Sequence, residues 1–531
     1  MITTTAVWGD EIGVEEVRGT AFHTYKDRPR TIGSLLAFAD RWGERPHIAQ
    51  GEQVVTFAGL RNAVTAKAAQ LAGAGLGRGD RVLLLGWNSP EWITNFWACA
   101  AVGAVPVLAN AWWGKAELAD SIALLDLKLV LADARGAANL PAGTTVGRWE
   151  CDTQAEPVLR PVPAVGEQED EDAPAVIVFT SGTSGRPKGV VLSHRSLLAG
   201  LHMLLHITRR LPQQIDESTG DAGLHTGPMF HIGGVQTLIR AITVGDTLVM
   251  PAGRFDPEEA LRLIEEWGIT RWSAVPTMVS RVLEHPDVHR RDLTSLRSLT
   301  VGGAPVHGEF LDRLRTGLPG VAPRVPTGYG LTENGGQATA ASGRDTTEHP
   351  GTSGRALPCV ELRILETGDH EDGEILVRSP TQMTGYFGVD ETPIDDEGWL
   401  HTGDLGRIDD AGYLWITGRA KDMIIRGGEN IAPAAVEEAL AGIPGVVESA
   451  VFGVPHPDLG EEVMAAVVVE NGLTAERLRE ELRPRLASFA VPSRWHLQPE
   501  PLPTNHSGKI DKKGLAAQAR ADLALQAGER A

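Results

Sequence analysis

Short β-branched runs alternate with amphipathic helices through the first two thirds of the chain, and glycine-rich turns follow directly on several of those runs. Past Thr352 the texture changes to short strands and turns. Together these predict an α/β protein: a large N-terminal domain of layered α/β subdomains plus a β-rich subdomain, and a small α+β C-terminal domain. At 531 residues the chain is too long for one core, and domain sizes allow roughly two to four domains. The boundaries read as 1–420 and 421–531, the second piece being small enough to move as a unit.

From Thr31 to Asp133 the order is a helix in TIGSLLAFADRWG, a buried strand in RVLLLG, an apolar helix through EWITNFWACAAVGA, and strands in VPVLAN and LKLVLAD, a spacing that implies a largely parallel sheet. Trp87, Trp92, Trp97, Trp112 and Trp113 lie here beside alanines, a pattern of core packing more than of a ligand platform. Residues 134–174, rich in Pro, Gly and acids, read as a connection.

Between Val176 and Ser193 a strand leads into TSGTSGRPKG and then VVLS. Thr180, Ser181, Thr183 and Ser184 offer hydroxyls, Gly182, Gly185 and Gly189 let backbone N–H groups approach an anion, and Lys188 adds an ammonium, which is a phosphate-binding composition. No Ser or Thr follows Lys188, and the next segment reads as a strand instead of a helix opening on the phosphate, so this is not a Walker loop. Alone, it is equally readable as a mobile surface turn.

Ser193 caps a helix through HRSLLAGLHMLLHI. In PMFHIGG two glycines let the backbone after His231 pass close to a neighbour, although a lone histidine in such a run is more often structural. Asp256, followed by Pro257, caps the next helix. LTVGGAP and PTGYGLTE again place glycine-rich turns after short strands, and since ligands in open α/β sheets bind beyond the carboxyl ends of strands, the three turns point to one crevice. VELRILE, GEILVRSP, GWLHTGD and GYLWITGR form the β-rich part. After Lys421 come a helix from Pro433, strands in ESAVFGV and EVMAAVVVE, a helix from Thr474 and an alanine-rich helical end.

A net charge of −20 with no Lys/Arg run argues against a nucleic-acid surface. Cys99, Cys151 and Cys359 form neither a zinc spacing nor a disulfide framework, which fits a reducing interior. The first residues lack a signal-peptide pattern and no apolar run approaches the ~18 residues of a membrane span, so a cytoplasmic location is expected.

Five motifs then appear in one order: TSGTSGRPKG from Thr180, GYGLTE from Gly328, HTGD from His401, GRAKDMIIRGGENI from Gly418 and SGKID from Ser507. In this register the chain resembles the acyl-CoA synthetases of the adenylate-forming superfamily, which also holds firefly luciferase and the adenylation domains of nonribosomal peptide synthesis. The resemblance implies ATP, Mg2+ and coenzyme A. Thr180, Ser181, Gly182, Thr183, Ser184 and Lys188 would hold the outer phosphates, with Lys188 balancing charge on the departing pyrophosphate. Gly303, Ala304 and Pro305 would line one side of the adenine, and Tyr329, between Gly328 and Gly330, the other. Thr332 would meet the α-phosphate and Glu333 the Mg2+. Asp404 would accept from both ribose hydroxyls, with Ile416 and Arg419 completing the nucleotide set. Lys509 would reach into the crevice to bridge the attacking carboxylate and the nucleotide oxygens. His231 would border that carboxylate, with Val235, Gln236, Thr277 and Gly302 around the acid. Lys421 would be the hinge, and Gly427, Gly428 and Glu429 would face CoA.

The implied reaction is a two-step ligation through an acyl-adenylate, with Lys509, Thr332, Lys188 and His231 as catalytic groups. The nearest alternative is an acyl-AMP ligase or stand-alone adenylation enzyme loading a carrier-protein thiol, disfavoured by GGEN; a luciferase-type oxygenase and a catalytically silent nucleotide-binding scaffold stand further off. Expected partners are a small carboxylic acid, ATP and CoA, with no nucleic acid; a homodimer is left open.

Overall fold

The computed structural model describes residues 8–152, 170–180, 187–217, 220–301, 308–318, 320–321, 325–366, 372–427, 429–470, 472–505 and 508–528. One sheet runs, strand by strand, Gly385–Tyr386, Lys188–Ser193, Pro174–Thr180, Val105–Leu108, Arg81–Leu85, Leu129–Ala132, Val146–Gly147. It is parallel except where Lys188–Ser193 pairs antiparallel with both neighbours. VPVL is buried at every position, as expected for a strand covered on both faces. The second sheet runs Ser298–Val301, Arg271–Ala274, Ala222–His225, Thr247–Met250, Pro46–Gln50, Gln53–Thr56 and is parallel up to its final hairpin.

One core joins the two sheets. Val176, Val178, Val190 and Leu192 from the first and Leu248 and Met250 from the second pack with Leu60, Phe96, Leu201 and Leu238 from four helices. Those helices are Phe57–Gly73, Pro90–Val102, His194–Ile207 and Ile232–Val244. Their starts follow local chemistry: the Ser89 side chain accepts from Trp92 N, and Ser193 from Ser196 N, each satisfying an otherwise orphaned first-turn donor. The helix expected in TIGSLLAFADRWG is split, with a 3-10 segment at Ile32–Ala37 before Phe38–Trp42. Ile32, Leu35 and Leu36 are all buried there, and the tighter winding brings residues three apart into line.

An N-terminal hairpin, Ile12–Val17 with Thr20–Tyr25, is an addition to the expected elements. It is tied down through buried charge: Arg28 and Arg195 each lie 2.7 Å from Glu171, and Arg195 also meets Glu15 at 3.1 Å.

The β-rich part is an antiparallel meander of Glu361–Glu366, Gly373–Arg378, Leu400–Ile408 and Leu414–Arg419. A single 3-10 turn, Ala420–Asp422, separates it from the last sheet, which opens at Ile424–Arg426. That sheet carries Val446–His456 and Gly460–Val469 as a long hairpin, with Arg494–Gln498 added parallel to Gly460–Val469. Helices Pro433–Ala441 and Ala475–Leu482 cover one face through Val436, Leu440, Leu478 and Leu482, while Lys512–Gly528 packs Ala519 against Ala450 and Val454 on the other. No described helix is long and apolar enough to cross a membrane, and the three cysteines are free thiols.

Candidate active site

Thr180 and Lys188 are cross-strand partners, so the strands flanking residues 181–186 pair antiparallel. This is strand, loop, strand, in agreement with the sequence; Ser181, Gly182, Thr183 and Ser184 lie outside the described residues. The Lys188 ammonium sits 4.7 Å from the centroid of the Tyr386 ring. Tyr386 in turn donates its hydroxyl to Glu333 Oε1 at 3.1 Å.

In GYGLTE the backbone of Gly330 passes so close to the strand opposite that an added Cβ would stand 2.3 Å from the Gly336 carbonyl oxygen. This contact, not turn conformation, requires the glycine. Tyr329 is buried, and its hydroxyl donates to Asp404 Oδ2 at 2.7 Å. Burial first, and the Asp404 charge second, push that phenol well above its ordinary pKa, so it stays protonated and donating. Arg419 Nε donates to the other oxygen, Asp404 Oδ1, at 2.5 Å from the facing strand. A carboxylate offers about four acceptor directions, so two remain for a diol. Glu374 braces the HTGD stretch of the neighbouring strand: Oε2 lies 3.0 Å from His401 Nδ1, and Oε1 accepts from Gly403 N at 2.9 Å. Ile416, 39% exposed, lies on the strand that carries Arg419. Gly302, Gly303, Ala304 and Pro305 lie outside the described residues.

Thr332 and Glu333 form a short 3-10 turn ending at Asn334. Met383 N donates to the Glu333 carbonyl at 2.8 Å, and Gln236 Nε2 donates to the Gly335 carbonyl, two residues on, at 2.9 Å. Among the described residues no cluster of three His, Cys, Asp or Glu could hold a metal by itself. One carboxylate joined by phosphate oxygens is, however, the ligation Mg2+ prefers, and Glu333 fits that arrangement.

His231 occupies the N-cap position of helix Ile232–Val244. Gly234 follows because an added Cβ would come within 2.5 Å of Met229 Cα. Burial, and secondly the Lys509 charge, lower the His231 pKa to about 4, so the imidazole is neutral at physiological pH. Its ring lies 4.8 Å from Phe230, which meets Trp112 at 5.2 Å, which meets Trp87 edge-on at 4.8 Å. Trp92, Trp97 and Trp113 are buried as expected of core residues, whereas Trp87 and Trp112 are half-buried, Trp112 packing against the core, and join the chain of ring contacts that ends at His231. Val235 is fully buried in the core.

The Lys509 loop reaches the large domain. Thr277, expected beside the acid, instead donates its hydroxyl to the Gly508 carbonyl at 2.6 Å. Gly508 has φ +79, and an added Cβ there would be 3.2 Å from both Met278 and Val275. The turn is closed by Asn505 N to the Lys509 carbonyl at 2.6 Å and Gly508 N to the Asn505 carbonyl at 3.0 Å. The Lys509 side chain keeps some exposure to solvent, yet the protein around its ammonium, and then the Arg419 charge, hold its pKa below the ordinary lysine value. The charge of Arg419 acts on Lys509, and that of Lys509 acts on His231, so Arg419 and His231 both lie within electrostatic range of Lys509.

Gly427 (φ +60) begins the turn between Ile424–Arg426 and Glu429–Ile431, and its N–H bonds Leu459 of the same small unit. Glu429 is exposed, Lys421 lies on the 3-10 turn between the two sheets, and Gly428 is outside the described residues. Tyr386 and Glu374, which the motifs did not mark, contact the motif residues Lys188, Glu333, His401 and Gly403.

The family described as AMP-binding enzyme matches residues 35–387, and the AMP-binding enzyme C-terminal domain matches 435–509. The chain is 34% identical to a feruloyl-CoA synthase of Amycolatopsis sp, covering 88% of this chain and 95% of that protein. It is 33% identical to a 2-succinylbenzoate–CoA ligase of Bacillus licheniformis over 89% and 96% of the two. Among solved structures, the o-succinylbenzoate CoA synthetase of Bacillus subtilis in complex with its acyl-adenylate superposes with a TM-score of 0.76 at 29% identity, covering 91% of this chain and 97% of the other; the same enzyme is also known with ATP and magnesium ion. The matched domains, taken with the site geometry, show that the chain belongs to the AMP-binding enzyme family, among its adenylate-forming acyl-CoA synthetases.

Proposed function

We propose that the chain is an AMP-forming acid–CoA ligase. A carboxylate oxygen attacks the α-phosphorus of ATP, pyrophosphate leaves, and an acyl-adenylate results. The CoA thiol then attacks the acyl carbonyl carbon, and AMP leaves. The observation that carries this reading is the docking of the Lys509 loop on the large domain, held by the Thr277 to Gly508 hydrogen bond, with Arg419 and His231 within electrostatic range of Lys509. Attack of one anion on another develops charge that a fixed ammonium cancels in the transition state.

The neutral imidazole of His231 borders the carboxylate without adding a second positive charge. Asp404, held by Tyr329 and Arg419, receives the ribose hydroxyls. Lys188 balances charge on the pyrophosphate. Mg2+, when bound by Glu333 and phosphate oxygens, supplies further neutralisation of the phosphates. The small domain from Lys421 onward then turns about the Ala420–Asp422 segment, withdrawing Lys509 and presenting the Gly427 turn to pantetheine. The wall of Trp87, Trp112 and Phe230 leading to His231 favours an acid with a flat, apolar body, and the ring-bearing acids in the names of both curated relatives agree with that.

The test is thiol consumption by the full chain with ATP, Mg2+ and CoA across carboxylic acids graded in chain length and ring content. AMP released in equal amount to thioester, strongest with ring-bearing acids, is expected. ADP as product, or acyl transfer to a carrier protein with CoA untouched, would overturn the reading.

A further inference from the structure

The two charged groups that would handle the phosphates, Lys188 and Glu333, come from separate segments, and one side chain touches both. The Tyr386 ring carries the Lys188 ammonium at 4.7 Å, and the Tyr386 hydroxyl donates to Glu333 Oε1 at 3.1 Å. Its backbone is fixed to the segments bearing both partners. Tyr386 pairs with Val190 on the strand that begins at Lys188, and its neighbours Thr384 and Phe387 donate to the carbonyls of Val191 and Gly189 at 2.9 and 2.7 Å. Met383, three residues earlier, donates to the Glu333 carbonyl at 2.8 Å.

We infer that Tyr386 is a positioning residue for the phosphate end of the crevice, its hydroxyl aiming the Glu333 carboxylate and its ring holding the Lys188 ammonium before nucleotide arrives. This rests on the roles proposed above for Lys188 and Glu333. The hydroxyl meets Glu333 Oε1, one of the two carboxylate oxygens.

The two contacts separate by substitution. Tyr386→Phe keeps the ring and removes the hydroxyl; Tyr386→Leu removes both. ATP binding to the full chain, followed by calorimetry at graded Mg2+, reads each without an acid. For Tyr386→Phe the Mg2+ needed for half-maximal ATP binding should rise roughly 2- to 10-fold, as the loss of one hydrogen bond allows, with metal-free ATP affinity unchanged. Tyr386→Leu should in addition weaken ATP binding roughly 2- to 5-fold with or without metal, the scale of a lost cation–π contact. In a Glu333→Gln background, Tyr386→Phe should add no further shift. A purely structural role would instead lower the thermal midpoint and weaken ATP binding equally at every Mg2+ level.

The inference is overturned by an unchanged Mg2+ dependence in Tyr386→Phe, or by a full shift that persists without Glu333. If Tyr386→Leu does not fold, the Phe variant and the double variant decide alone. A parent chain that binds no ATP would overturn the functional reading itself, a result distinct from either.

Discussion

On the large-domain side Asp404 is held by Tyr329 and Arg419, and its strand is braced by Glu374 through His401 and Gly403. On the small-domain side Lys509 rides a tight turn that meets the large domain through the Thr277 hydroxyl on the Gly508 carbonyl. The first arrangement is a set of charge-assisted hydrogen bonds built into facing strands; the second adds a neutral hydrogen bond worth about 1 kcal/mol net. On the function proposed above, a nucleotide needed in both half-reactions would be met by groups that stay, while an ammonium needed in one would be delivered by a loop that leaves.

The two sides also titrate differently, and this gives the largest expected effect. His47, His194, His202, His225 and His231 all lie in the large domain, and burial, the leading cause in each, lowers them to about 4. The folded state therefore binds fewer protons than the unfolded one between about pH 4 and 6.5. Their stability contribution is present above the upper value and lost as pH falls, at about 1.4 kcal/mol per pH unit for each proton. In the small domain burial raises the pKa of Glu437, despite its contact with Lys512 at 2.6 Å, so that group has the opposite sign and favours the folded state on acidification. Calorimetric scans from pH 7 to 5 should show the large-domain transition falling steeply and the small-domain transition much less. Parallel shifts would break the contrast.

Lys509→Ala should lower acid-dependent pyrophosphate exchange by about 10²- to 10³-fold, the usual scale for removing a group aimed at transition-state charge. Asp404→Ala should weaken ATP binding by roughly 10- to 100-fold, since charge-assisted hydrogen bonds are lost and the Tyr329 hydroxyl is left buried without its acceptor. Calorimetric titration of ATP checks it, and a matching loss for Lys509→Ala would blur the distinction between a standing and a delivered group. The smallest effect belongs to the latch: Thr277→Val should slow pyrophosphate exchange roughly 3- to 10-fold and leave ATP affinity as it was.

Much of this site was legible in the sequence because its demands are local. A phosphate loop needs small residues and donors in one run, and the close strand at Gly330 admits no side chain, so such positions announce themselves. The residues that escaped notice act across the fold. Tyr386 and Glu333 are 53 positions apart, and Glu374 and His401 are 27 apart, with nothing in either neighbourhood to mark the meeting. Thr277 was assigned by position to the acid, and the hydroxyl's use against Gly508 depends on where another domain docks. The N-terminal hairpin lacked a strand signal, Val14 standing 68% exposed in a short charged run. The large α/β sheets were clear from buried β-branched runs alone.

The division between standing and delivered groups is tested most directly by supplying purified acyl-adenylate and CoA to Lys509→Ala and measuring thioester formation beside pyrophosphate exchange in the same preparation. The account predicts that exchange is nearly abolished while thioester forms within about 3-fold of the parent rate, well under the loss expected for a transition-state group. Equal loss of both half-reactions, or intact exchange with thioester formation lost, would contradict it.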